Sequence, residues 1–522
     1  MPVAHVLSRA QLGLAAPLVH VEVHVGAGLP GFTIVGLPAP VVRESRERVR
    51  AAILNSRFEF PAGRITVNLA PVELSKEGGR FDLPIAIGLL AASGQLAASP
   101  ERLAGTECFG ELGLQGELKP VAGLFLAALH GQRAGHALLA PQANLGEVRR
   151  AGCLQAAGAR TLWQAAEWLV APVPAVGGAV DLPGDAAWRA GGGCSDATAP
   201  DGADLASVVG QAQVKRALLV AAAGGHSLLM IGPPGSGKSL LAACLPGLLP
   251  DLEPHEAIEV ASIASISTEA ARAPRWGQRP FRAPHHTCSA HAIVGGGPQV
   301  RPGEITLAHC GVLFLDELPE FDRRVLESLR EPLETGRVCV ARARHRLELP
   351  AQFQLVAAMN PCPCGYLGDA AQPCRCGARC VERYRARISG PLLDRIDLRV
   401  EVPRVSHAEL LRAAQGGAGG ALPAAGPASS ELRPQVCAAR RRQRARSNCL
   451  NARLEAGALA QCCRLDRSAS QLLEQSLEKL HLSARGVHRL LRVARTLGDL
   501  AERELIGAEQ VAEAIQLRRA LG

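Results

Sequence analysis

Residues 232–239 read Gly-Pro-Pro-Gly-Ser-Gly-Lys-Ser. Glycines at this spacing let backbone N–H groups converge on one point, and a helix starting there adds further donors and the positive end of its dipole. The chemistry that suits is phosphate binding. Gly232, Pro233, Pro234, Gly235, Ser236 and Gly237 form the cradle, Lys238 reaches the β- and γ-phosphates, and the Ser239 hydroxyl ligates Mg2+. Both flanks fit, since Ser227–Ile231 reads as an apolar strand and Leu240–Leu245 as helix. ATP and Mg2+ are the expected cofactors. Seventy-eight residues beyond Lys238, the apolar run 311–315 ends in Asp316 and Glu317. An acidic pair at a strand end serves two tasks: Asp316 holds Mg2+ and Glu317 polarises the attacking water. A third apolar run, Phe353–Met359, ends in Asn360, whose neutral amide orients that water or simply turns the chain before Pro361.

Other residues offer metal or polyanion chemistry. Cys362, Cys364, Cys374 and Cys376 form two Cys-x-Cys pairs separated by nine residues, with Cys380 following. Four thiolates suit a tetrahedral structural Zn2+. Free thiols are the other reading, and Cys380 leaves the fourth ligand ambiguous. No open carboxylate or His position accompanies them, so a catalytic metal is not expected there. His285, His286, Cys288 and His291 also have ligand-like spacing. Arg342, Arg344 and Arg346 crowd the middle of 338–349, and a denser basic run spans 440–446. Either run can meet a phosphodiester backbone or be a solvated charged edge or helix face.

These groups sit in a chain of 522 residues, long enough at about 150 residues per domain for three to four domains. Apolar residues are 48% and charged residues 20%, which excludes wholesale disorder. The longest apolar stretches, 83–98 and 217–231, are interrupted before the roughly 18–20 clean residues of a membrane span. No basic start with an apolar block opens the chain, so no signal peptide is expected. No membrane partner is expected, and the cytoplasm is the default location. The net charge is +9, and only 5 of the 57 basic residues are Lys. An Arg and Ala excess fits GC-rich coding; the positive balance is compatible with nucleic acid without establishing it. Sixteen Cys in a large chain of this kind read as buried thiols plus a metal site, not as disulfides.

Pro, Gly and Ala enrichment marks 172–203 as a linker and 404–428 as a second, most clearly over 415–428. The blocks between are 1–171, 204–403 and 429–522. The first mixes strands at 19–25 and 64–69 with helices at 43–54 and 83–92, the second with Asp82 placed to cap it. The central block alternates strand and helix, the pattern of a parallel α/β sheet. The last is helical, with Val487, Leu490, Leu491, Ala494 and Leu497 on one face and Arg485, Arg489 and Arg492 on another.

Further pieces carry a resemblance. Gly-Leu-Pro at 36–38, the run Ser75–Pro84, Arg-Pro-Phe-Arg-Ala-Pro-His-His at 279–286, Asn-Pro-Cys-Pro-Cys-Gly at 360–365, Gly390–Asp397 and Ser-Ala-Arg at 483–485 together resemble the magnesium-chelatase-like AAA+ ATPases of the ComM/YifB type over nearly the whole chain. The resemblance implies an α/β fold with a Lon-protease-like α+β N-terminal domain, an AAA+ core with a helix-2 insert and a pre-sensor hairpin, and a C-terminal helical lid. It implies that Arg395 is an arginine finger and Arg485 a second sensor. It also implies a homohexamer moving on single-stranded or branched DNA, with Arg342, Arg344 and Arg346 in the pore, and branch migration that helps integrate DNA in natural transformation. A chelatase ATPase subunit and an unfoldase or protease component are the alternatives. The protease is disfavoured because Arg80 stands where Lon-type enzymes carry the nucleophilic Ser, and 121–126 supply no general-base Lys.

Overall fold

A computed structural model describes residues 3–37, 39–74, 76, 78–153, 155–171, 203–267, 275–296, 301–341, 346–369, 372–405, 426–480 and 483–518. The chain forms two compact units, one built mainly from the first 191 residues and the other mainly from the remainder. The expected linker at 172–203 lies outside the described residues up to 202, and the second linker lies outside them over 406–425.

In the N-terminal unit, seven strands form one mixed sheet: β1 (Val3–Arg9), β2 (Leu18–Gly26), β3 (Gly31–Val35), β4 (Arg64–Ala70), β5 (Thr106–Cys108), β6 (Ala137–Pro141) and β7 (Ala156–Ala159). Their order is β3-β4-β2-β1-β5-β6-β7. Alternation sets the faces, with Val19, Val21 and Val23 of β2 buried while His20 and His24 are exposed. On the buried face lie α1 (Pro40–Asn55) and the apolar α2 (Asp82–Ala92). A Cβ at Gly88 would meet Val23 Cγ2 at 2.5 Å, so glycine lets α2 approach β2 closely. Asp82 does not cap α2, contrary to expectation. It is the first helical residue, and its buried carboxylate accepts from Arg48 Nε at 2.7 Å and from the backbone N–H of Leu112 at 3.2 Å. A buried carboxylate needs such partners more than a helix end needs a cap.

The second unit carries a five-stranded sheet: β8 (Leu228–Ile231), β9 (Phe281–Arg282), β10 (Val312–Leu315), β13 (Gln354–Met359) and β14 (Leu398–Glu401). The order is β9-β10-β13-β8-β14, and every pairing is parallel. Between β10 and β13 a separate hairpin pairs β11 (Arg337–Ala341) antiparallel with β12 (Arg346–Pro350). Before β8 runs α3 (Ala212–Gly224), and after it α4 (Lys238–Leu248). The C-terminal helices include α5 (Ser429–Ser447), α6 (Arg467–Leu480), α7 (Ala484–Leu500) and α8 (Ala508–Gln516). Leu490, Val493, Ala494 and Leu497 of α7 join the same apolar core as Val214 and Leu218 of α3 and Leu228 and Met230 of β8. At about 25 cal/mol per Å2 of apolar surface removed from water, this shared burial holds the helices to the sheet.

Candidate nucleotide site

Parallel register brings the expected groups to one edge. Ile231 lies opposite Met359 and Leu315 opposite Ala357, so β8, β13 and β10 all release their chains at the carboxyl end of the sheet. From β8 the loop 232–237 turns into α4. Gly235 and Gly237 sit at φ +75 and +86, the left-handed region that glycine adopts without strain, and open space lies where a Cβ would stand. Gly232 passes so close to Val402 that a Cβ would fall 2.2 Å from its carbonyl oxygen.

Lys238 is buried, and its Nζ donates to Gly232 O at 2.8 Å, Pro233 O at 2.9 Å and Asn360 Oδ1 at 3.2 Å. Burial lowers the Lys238 pKa from its ordinary value, while the Asp316 and Glu317 carboxylates pull it back. The Ser239 hydroxyl donates to Asp316 Oδ2 at 2.5 Å, which sets a hydroxyl and a carboxylate side by side as hard oxygen donors. Ser236 Oγ is buried without a hydrogen-bond partner among the described residues. An open glycine turn, a lysine, an orphaned hydroxyl and a paired Ser–Asp fit a Mg2+-bound nucleoside triphosphate. Glu317 occupies the left-handed region at φ 53, with its N–H bonded to Asp316 Oδ1 at 2.9 Å. Its carboxylate meets His286 Nδ1 at 3.1 Å.

The cysteine loop abuts this site. Sulfurs about 2.3 Å from a tetrahedral metal lie about 3.8 Å apart. The Cys362–Cys364, Cys362–Cys374 and Cys364–Cys374 separations are 3.3, 3.6 and 3.6 Å, and Cys376 completes a set whose sulfurs all lie within 4.8 Å. Backbone N–H groups of Tyr366 and Arg375 lower the Cys364 thiol to about 6. Cys380 is exposed and stands outside the set. In the same loop, a Cβ on Gly365 would meet Pro234 Cδ at 2.6 Å, so the loop packs on the phosphate-binding turn at Gly365, next to Cys364. The histidines at 285–291 do not gather into a ligand set among the described residues: His285 bonds Thr287, and His286 faces Glu317.

Arg395 and Arg485 are not brought to the phosphate loop. Ser227, at the amino end of β8, donates its hydroxyl to Arg395 O at 3.0 Å. The four residues of β8 therefore separate Arg395 from Gly232, about 13 Å at ~3.3 Å per residue. The Arg395 guanidinium donates to Pro391 O at 2.7 Å and pairs with Glu334 at 2.5 Å. Ser483 caps α7 by accepting from Gly486 N–H at 3.1 Å, which puts exposed Arg485 in its first turn. Arg395, Arg485, Arg489 and Arg492 all line one cleft of about 420 Å3 on that edge. Beneath it, burial opposes ionisation of Asp397, yet His226, Arg489 and Arg518 hold its carboxyl well below the usual range.

The two basic runs part ways. Arg342 and Arg344 lie outside the described residues, as does the Arg346 side chain, though Arg346 begins β12. In the run 440–446, Arg440 is buried, Arg442 pairs with Glu502, Arg444 with Glu253 and Arg446 with Asp499. Three of the five arginines are thus paired within the unit and Arg440 is buried, which leaves Arg441, exposed, as the remaining member of the run. His286, Glu334 and Gly365 are the residues that sequence reasoning missed. His286 and Gly365 gave a signal, each as the last residue of a motif, 279–286 and 360–365, while Glu334 gave none.

Three family models match the chain: magnesium chelatase, subunit ChlI, over residues 204–410; subunit ChlI of Mg-chelatase over 21–144; and magnesium chelatase, subunit ChlI C-terminal, over 426–518. The chain is similar to competence protein ComM of Haemophilus influenzae, with 44% identity over 520 residues, 99% of this chain and 98% of that one. It is similar to the uncharacterized protein YifB of Escherichia coli, with 45% identity over 99% of this chain and 97% of that one. Similarity to the magnesium-chelatase 38 kDa subunit of Rhodobacter capsulatus is narrower, 29% over 174 residues, covering 30% of this chain and 50% of that one.

Proposed function

The chain belongs to the magnesium-chelatase-like AAA+ proteins of the ComM and YifB type, and from that membership we propose that it is an ATP-hydrolysing hexameric motor acting on DNA. The observation that carries the ATPase reading is the convergence of Lys238, Ser239, Asp316, Glu317 and Asn360 at one sheet edge. Lys238 binds the β- and γ-phosphates, Glu317 takes up the proton of the attacking water, and Asn360 holds that water in line. Mg2+, held by Ser239 and Asp316, supplies charge neutralisation at the phosphates. The placement of Arg395 and Arg485 on the opposite edge supports a ring, in which each subunit offers both arginines to its neighbour's γ-phosphate. A fixed cation at that point is worth ~10^3–10^5 in rate in related NTPases.

The DNA reading rests on the similarity to a competence protein and on Arg342, Arg344 and Arg346 at the β11–β12 hairpin. On it, the motor drives branch migration of single-stranded or branched DNA during natural transformation. The domains follow: residues 1–171 as a Lon-protease-like domain, 204–403 as the core with its helix-2 insert, pre-sensor hairpin and a Zn2+ in the Cys loop 360–380, and 429–522 as the lid. Arg80 supports a proteolytically silent first domain. It is buried and donates to Gln11 Oε1 and Ala122 O, both at 2.8 Å, where a nucleophile would need a free hydroxyl.

The test is the ATPase rate with and without single-stranded and forked DNA, with Lys238→Ala as the blank. Stimulation by DNA in the wild type alone is expected. A rate indifferent to DNA moves the reading to a chelatase-type ATPase, which the three family models favour by description.

A further inference from the structure

A second cleft, of about 450 Å3, opens at the amino edge of the five-stranded sheet. It lies where the segments entering β8, β10 and β13 meet the C-terminal residues 440–453. Four arginines line it, Arg279, Arg440, Arg444 and Arg453, against two carboxylates, Glu253 and Glu256. The lining therefore carries a surplus of two positive charges.

Three of the arginines are engaged. Arg279 donates to Pro250 O at 2.7 Å and Cys310 O at 2.7 Å and pairs with Glu256 at 2.8 Å. Arg444 pairs with Glu253 and stands 3.7 Å from Glu256. Arg453 donates to the Gln352 side chain. Arg440 differs. It is 6% exposed, and its Nε donates to Ala222 O at 2.9 Å. Among the described residues, its Nη1 and Nη2 meet no acceptor and it forms no ion pair. Arg279 and Arg453 stand near it as like charges, with Glu256 as the counter-charge.

The Arg440 Nη groups are not among the fully buried atoms, so the cleft that Arg440 lines leaves these unbonded donors within reach of a ligand, beside like charges. An oxyanion in the cleft suits them, because it accepts several N–H bonds at once and balances the surplus charge. A guanidinium fork matches the oxygens of a phosphate group. We propose that this cleft binds a small phosphate-bearing anion at a site separate from the phosphate loop. Arg440 and Arg453 supply the donors, and the bound anion ties the C-terminal helices to the base of the sheet. A polymer backbone is disfavoured as the occupant, because Arg440 is almost fully buried.

The test uses the full chain carrying Lys238→Ala, so that the phosphate loop is disabled. Its melting temperature is measured in inorganic phosphate and in chloride at equal ionic strength. Phosphate is expected to raise the melting temperature by about 2–4 °C over chloride near ten times its dissociation constant. Adding Arg440→Gln removes the difference. Arg453→Gln, at an exposed position, reduces it and serves if the Arg440 variant does not fold. AMP in place of phosphate identifies the source: a larger shift assigns a nucleotide, an equal shift a free anion. A phosphate shift that persists with both Arg440 and Arg453 replaced overturns the proposal, as does equal stability in phosphate and chloride.

Discussion

On the proposed ATPase reading, Glu317 is the residue on which turnover depends most directly. Its carboxylate is held by His286 in a backbone conformation that a non-glycine residue adopts at a cost of about 1–2 kcal/mol. Replacing it by Gln keeps the shape and removes the base. Glu317→Gln is expected to bind ATP as the wild type does and to release phosphate ~10^2–10^4-fold more slowly. Lys238→Ala is expected to lose binding itself. Fluorescent-nucleotide affinity separates the two, and a Glu317 variant with lost affinity would contradict the assigned role. The phosphate loop was legible because its chemistry is contiguous: eight residues make both the turn and the donors. Arg440 and Asp82 were not legible, because whether a charge is solvated or buried depends on partners far away in sequence. A dense arginine run reads as a polyanion surface until Glu253, Asp499 and Glu502 are seen to pair three of its five members.

Elements carry a different kind of prediction. The expected strands at 19–25 and 64–69 and the helix at 83–92 all formed, the helix starting one residue earlier at Asp82, because period-2 alternation and unbroken apolar runs are local signals. The parallel order β9-β10-β13-β8-β14 was not legible, since nothing local ranks neighbours in a sheet. Asp397, beside β14, links that sheet to α7 through Arg489 at 2.6 Å. Its folded pKa lies below the unfolded value, so its ionised form stabilises the fold. That contribution is full above the unfolded aspartate pKa of about 4 and is lost as pH falls further. Thermal melts are expected to show wild-type stability dropping below about pH 4, while Asp397→Asn is less stable at pH 7 and flatter across that window. Breaking a buried pair of this kind costs about 3–5 kcal/mol. The zinc proposed for the Cys loop gives a second test at this scale. Metal analysis is expected to give one zinc per chain, and chelation is expected to weaken nucleotide affinity, because Gly365 packs on Pro234. Affinity unchanged after complete zinc loss would separate the loop from the site.

For the whole molecule, the decisive feature is the length of β8 between the phosphate loop and Arg395. If Arg395 is the finger of the proposed ring, its place at the amino end of β8 means that a subunit needs its neighbour to complete its site. Lys238→Ala and Arg395→Ala proteins are each expected to be inactive alone and to regain activity when mixed. Random placement at one-to-one leaves about a quarter of the junctions between subunits intact, so about a quarter of the wild-type rate is expected in a closed ring. No recovery on mixing, with rings formed, would place the catalytic arginine elsewhere.

If the thiol loop holds the proposed metal, the contact of Gly365 with Pro234 makes that loop an optical handle. Cobalt accepts the same four-sulfur environment as zinc and absorbs visible light according to the geometry around it. A cobalt-loaded chain would carry its chromophore in the loop whose Gly365, next to Cys364, packs on the phosphate-binding turn. Each cycle of nucleotide capture and release could then be followed as a change of colour, without a label attached anywhere on the protein.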